Sequence, residues 1–178
     1  MNRFALAVLL LFPAFAPAQQ PSEAHKAEMK KLDFLAGKWK GPATATTREG
    51  KQDLTQTEVI EYRLGGTILT VEGTGRGKLA GKTEEAVIFN AFAVISYDAD
   101  AKKHRIKAYR MEGTAVEADL TVTEKGFKWG FKPPQGGVEV RYVMTINDKS
   151  EWYQTGEYTL DGKAWTKFFE MTLTRVKE

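Results

Sequence analysis

The later half of the chain alternates apolar and polar residues with a period of two. This pattern limits its possible folds more than any other feature. Val116, Ala118, Leu120 and Val122 share one side, with Glu117, Asp119, Thr121 and Thr123 on the other. Phe127, Trp129 and Phe131 alternate with Lys128, Gly130 and Lys132. Val138, Val140, Tyr142, Met144 and Ile146 alternate with Glu139, Arg141, Val143 and Thr145, and Phe169, Met171 and Leu173 with Glu170, Thr172 and Thr174. Successive side chains of a strand point to opposite faces, so each run turns one apolar face toward a shared interior.

The punctuation between these runs is short. Turn signals stand at Glu49-Gly50, Gly65-Gly66, Glu112-Gly113, Lys125-Gly126, Pro133-Pro134-Gln135-Gly136-Gly137, Asn147-Asp148 and Asp161-Gly162. Two longer connections are read at Gly75 to Gly81 and Asp98 to Lys103. Hairpin-length links leave no room for the helical crossovers that parallel strands need. The expected fold is all-β: an antiparallel up-and-down barrel of about ten strands, first paired with last so that no edge stays open. Ala86 to Ile95 is apolar on both faces, which predicts a cover from the helix described next or from a partner chain.

The N-terminal third differs. Arg3, the apolar run from Phe4 to Phe15 and the small-x-small site Ala16-Pro17-Ala18 predict a secretory signal peptide over residues 1–18. The run is shorter than the roughly 20 apolar residues a membrane span needs, and no Cys follows it to carry a lipid. The expected location is periplasmic or secreted. Residues 19–36 form an N-terminal segment with one short helix from Ser22 to Leu35. Ser22 caps it, Glu23 favours its positive end, and Met29, Leu32 and Leu35 make an apolar stripe. Such a short helix is marginal alone, so it is expected against an open end of the barrel formed by residues 37–178.

With no Cys, disulfides and thiolate metal sites are excluded, and a domain of this size buries enough surface to do without staples. A net charge of +3 on 178 residues gives no reason to expect nucleic acid or an anionic membrane surface as partner.

Leu32-Asp33-Phe34-Leu35-Ala36-Gly37-Lys38-Trp39-Lys40-Gly41 joins the helix to the first strand. It resembles the start of the calycin barrels, the lipocalin-like and fatty-acid-binding-protein-like group, in which a Gly-x-Trp pair opens strand one and the Trp plugs the barrel floor. The resemblance implies a structural pair of Trp39 and Arg175, the Arg lying across the Trp from the closing strand in a cation–π contact. The Leu-x-x-Leu-x-Gly-x-Trp pattern is also similar to that of the haem-binding nitrobindins, which hold haem through a His near their C-terminal strands. This chain has only His25, in the helix, and His104, after the polar stretch Asp98 to Lys103; both are expected at the surface. No haem, other cofactor or metal is therefore predicted.

Other motifs are weaker. Gly75 to Thr83 approaches a phosphate loop, but Arg76 stands where the pattern needs Gly and both flanks read as strands, which leaves a basic loop at the barrel mouth. Asp98-x-Asp100 lacks the third acid, the Gly and the distant Glu of a calcium loop. Glu84 and Glu85 are adjacent and face opposite sides. Ser22, Ser96 and Ser150 lie in no nucleophile-elbow context, so no catalytic residue is assigned.

Strand parity selects the candidate ligand-binding residues. Tyr62, Trp129, Tyr142 and Met171 fall on apolar faces, Glu58 is in phase with Ile60 and Tyr62, and Arg110 with Ile106 and Ala108. An inward Arg beside Tyr resembles the way fatty-acid-binding barrels hold a carboxylate head group. Three functions stay open: a binding module for a small apolar or amphipathic molecule, an enzyme using inward carboxylates, and a structural or partner-binding domain with a filled core. Oligomeric state is left open.

Overall fold

The structure, a computed structural model, describes residues 20–47, 50–79, 81–132 and 137–177. The predicted signal peptide and the turn residues Glu49 and Pro133 to Gly136 lie outside them. Ten strands follow one short helical segment: β1 (Gly37–Thr47), β2 (Gly50–Arg63), β3 (Ile68–Lys78), β4 (Glu85–Asp98), β5 (Lys103–Arg110), β6 (Ala115–Thr123), β7 (Gly126–Phe131), β8 (Glu139–Ile146), β9 (Trp152–Thr159) and β10 (Thr166–Arg175). Each runs antiparallel to its sequence neighbour, and β1 pairs with β10 to close the barrel, with Trp39 opposite Arg175 and Ala43 opposite Met171. The expected all-β meander is therefore the observed one. No helix among the described residues is long and apolar enough to cross a membrane.

The helical segment has two parts. Helix α1 (Glu23–Met29) is capped by Ser22, whose hydroxyl accepts from the His25 amide, and a 3-10 turn continues over Lys30–Leu35. A 3-10 turn repeats every three residues, which is the spacing of Met29, Leu32 and Leu35. All three are fully buried and join the barrel core, so the segment closes one end of the barrel.

That end is the floor. Trp39 is buried and donates its indole N–H to the Leu35 carbonyl at 2.8 Å. Its ring meets Trp152 edge-on at 5.7 Å, and Trp152 meets Phe127 at 6.4 Å. The Arg175 guanidinium lies over Trp39, 4.2 Å from the ring centroid, while its nitrogens donate to the carbonyls of Ala36 and Phe34. Gly37 must be glycine twice over: its φ is +120°, and a Cβ there would stand 2.7 Å from Arg175.

Two features depart from the sequence reading. His104 does not sit in a solvated turn. β5 begins at Lys103, so His104 is the first inward residue of that strand. It is 7% exposed, with Nε2 3.2 Å from the Glu28 carbonyl and its ring against Tyr97. The connection read from Gly75 is also shorter, because β3 runs on to Lys78 with Gly75 and Gly77 inside it. On β4, Val87 and Phe92 stand exposed on the outer face.

Candidate functional site

Above the floor, the inward positions change character. β1 presents Ala43 and Ala45, β3 presents Gly73, Gly75 and Gly77, β4 presents Ala91 and Ala93 with Phe89 above them, and β5 presents Ala108. Across the barrel the inward residues of β7 and β8 are large and aromatic. Trp129 and Tyr142 stack at 4.8 Å with 18° between their planes, and Phe131 stacks on Trp129 at 6.0 Å. A bulge between Lys167 and Phe169 on β10 brings Phe168 inward as well, edge-on to Tyr142 at 5.9 Å and against Tyr158 at 6.2 Å. The bulge faces Gly156, where a Cβ would stand 3.0 Å from the Phe168 ring and 2.9 Å from that of Tyr142. These aromatic side chains are half-buried, in contrast to the closed floor.

One polar pair sits between the two walls. Glu58, one inward position above Ile60, is 7% exposed and accepts from Gln56 Nε2 at 2.8 Å. Burial pushes its carboxyl up to about 7, against the opposing pull of the Gln56 hydrogen bond. Gln56 is 1% exposed, and its Oε1 is buried without a partner. Both head groups rest against β3: a Cβ on Gly73 would lie 2.8 Å from both Glu58 oxygens, and one on Gly75 would lie 2.8 Å from Gln56 Oε1. The glycines of β3 thus leave room for a carboxyl and an amide where ordinary strand residues would fill the space.

At the mouth, the β2–β3 ladder ends at the pair Thr55–Arg76, although both strands continue. Beyond that point a groove of about 510 Å³ opens, lined among others by Lys51, Gln52, Leu54, Arg76, Lys78 and Leu79. Leu54 is the next inward residue above Gln56.

The other predicted residues are placed as follows. Met171 is buried between Ala43 and Gln154 on the neighbouring strands. Tyr62 belongs to the floor, its hydroxyl bonded to the Met29 carbonyl at 2.9 Å and to the Asp33 carboxylate. Burial and the Asp33 carboxylate both push the pKa of its hydroxyl up. Arg110 keeps its inward phase opposite Ala91 but stands at the rim, 62% exposed, with Glu112 at 3.1 Å. Its charge reaches Tyr142, where it counteracts the upward push of burial on the hydroxyl. Sequence reasoning passed over Gln56, although it is in phase with Glu58, and the two-residue repeat Gly73-x-Gly75-x-Gly77. Phe168 carried no signal, because only the bulge turns it inward.

No family model matches the chain, and no curated protein matches it in sequence. Among solved structures it is similar to the crystal structure of Rv2717c from M. tuberculosis, at 13% identity and a TM-score of 0.56, over 84% of this chain and 97% of that one. The likeness shows a barrel fold.

Proposed function

We propose that the protein is an exported barrel of the calycin type that holds a small apolar or amphipathic molecule above its floor. One observation carries the reading: a wall mostly of Ala and Gly on β1 and β3 to β5, broken by Phe89, faces a half-buried aromatic wall of Trp129, Tyr142, Phe131 and Phe168. Small residues opposite rings that solvent still reaches suit a concave apolar site with a few polar groups. Of the candidate residues, Glu58, Trp129, Tyr142 and Met171 belong to the chamber, Arg110 to its rim and Tyr62 to its base. The calycin assignment rests on Gly37, Trp39 and Arg175, and export rests on residues 1–18.

The test is binding of a neutral apolar dye, N-phenyl-1-naphthylamine. Saturable fluorescence in the wild type, lost in a folded Ala108→Trp variant that fills the chamber, supports the reading. No binding by the wild type defeats it. Export is checked separately by the mass of the mature chain from a periplasmic fraction, which should begin at Gln19.

A second reading, proton transfer by Glu58, is favoured by its poise near 7. A molecule co-purifying with Glu58→Gln and converted by the wild type would establish it. Identical bound molecules in both proteins would remove it.

A further inference from the structure

We infer that Gln56 and Glu58 form the receptor for a protonated amine carried on an apolar body, so that the chamber selects cationic amphiphiles. The inference rests on the proposed binding function and specifies its ligand.

Three observations converge on this class. First, the pair has acceptors to spare. Gln56 turns its amide nitrogen to Glu58 and donates one N–H at 2.8 Å, and its own buried Oε1 is without a partner. Buried polar groups in folded proteins are almost always paired, so a lone buried acceptor marks a place for a donor from outside the chain. Gln56 is also the only hydrogen-bond partner of the Glu58 carboxylate among the described residues.

Second, the described residues supply no unpaired cation to the chamber. Of the Lys and Arg in inward phase, Arg175 is spent below the floor on Trp39 and the carbonyls of Ala36 and Phe34. Arg110 is at the rim and paired with Glu112. His104 lies under α1 against the Glu28 carbonyl. A buried carboxylate is costly unless paired, and an ammonium group brings both the charge and several N–H donors. With Glu58 ionised, one donor can go to its carboxylate and another to Gln56 Oε1, two residues away on the same face.

Third, the surroundings suit the rest of such a molecule. Trp129, Tyr142 and Phe131 give an apolar wall, and aromatic faces attract cations. A carboxylate ligand would meet two acceptors and a like charge at the same place.

The test is isothermal titration at neutral pH with decylamine, decanol and decanoate, which share one chain length. Decylamine should bind at least about tenfold more tightly than decanol, the size of step that one charge-assisted pair supplies, with decanoate weakest. Glu58→Gln should remove the amine's advantage, so that decylamine and decanol bind this variant within about threefold of each other. An amine no better than the alcohol in the wild type overturns the inference without needing any variant, and so does an advantage that survives Glu58→Gln. Preference for decanoate overturns it too, and moves the head group to Lys51, Arg76 and Lys78 at the mouth. In each of those outcomes the neutral dye still binds and the binding function stands. If neither dye nor any decyl compound binds, both fall together.

Discussion

The two halves of the barrel share one continuous sheet and one alternation, yet their interiors are built on opposite principles. At the floor, large side chains interlock and polar atoms find partners. The Trp39 N–H reaches Leu35, the Tyr62 hydroxyl reaches Met29 and Asp33, and His104 reaches Glu28. Above it, Ala and Gly line one wall, the aromatic side chains opposite are only half-buried, and Gln56 Oε1 has no partner. Concentrating packing at one end frees the residues of the other from holding the fold closed.

The sharpest way to break this contrast is at the floor. Trp39→Ala should cost roughly 3–5 kcal/mol, the range for deleting a buried aromatic ring, because Arg175 and Trp152 lose their partner together. Denaturant titration measures it. A loss under about 1 kcal/mol would make the floor no more important than the surface.

The next effect belongs to Glu58 and depends on pH. Its folded carboxyl titrates near 7, above the ordinary value of 4.5. Between those values the unfolded chain has released the proton and the folded one still binds it. Stability therefore falls as pH rises through this window, and levels off above it, by about 3 kcal/mol at about 1.4 kcal/mol per unit. Urea melts from mildly acidic to mildly alkaline buffer should show the slope, and Glu58→Gln should flatten it. An equal slope in both proteins would mean that Glu58 is solvated, and the chamber would lose its one buried acid.

These two residues also show what the sequence made legible. Trp39 stood out because Gly37-x-Trp39 follows a short apolar stripe, and the hairpin rhythm implied that β1 must meet β10, hence Arg175. Period-two parity placed Glu58, Trp129, Tyr142 and Met171 inward. Parity says nothing about height along the barrel axis, so it did not separate Tyr62 at the floor and Arg110 at the rim from the residues between them. It also failed where a strand begins earlier than its polar flank suggests, as at His104. A bulge breaks parity outright: Phe168 and Phe169 are neighbours in the chain, and the Phe168 ring and the Phe169 Cβ both lie against Gly156. Gly75 and Gly77 read as part of a loop because glycine is a loop residue by default, whereas here Gly75 makes room for Gln56 inside a strand.

That room can be tested. Gly73→Ala brings a Cβ to 2.8 Å from both oxygens of Glu58, so the carboxyl must shift. Overpacking of this kind costs about 1–3 kcal/mol. Thermal melts should show a loss of that size, whereas Gly81→Ser, where a Cβ would meet nothing within 4 Å, should show only the strain of its φ of +72°. A neutral Gly73→Ala would mean that Glu58 is free to move away from β3, and the seated pair would be lost.

The smallest expected effect is the most discriminating between an open chamber and a filled core. Ala108 faces inward between Ala93 and Val116 and is half-buried. If the space beside it is open, Ala108→Trp places a large ring there for less than about 1 kcal/mol, because it displaces solvent rather than packed atoms. The matched insertion in the packed core, Leu120→Trp, has no such space: Leu120 is 3% exposed. It should cost about 1–3 kcal/mol or more through off-rotamer side chains and backbone shifts. The pair of melts thus reads out the two interiors directly. Equal, large losses at both positions would show that the upper half is packed as tightly as the floor. That result would end the binding reading in favour of a filled structural core, with Gln56 and Glu58 as its polar seam.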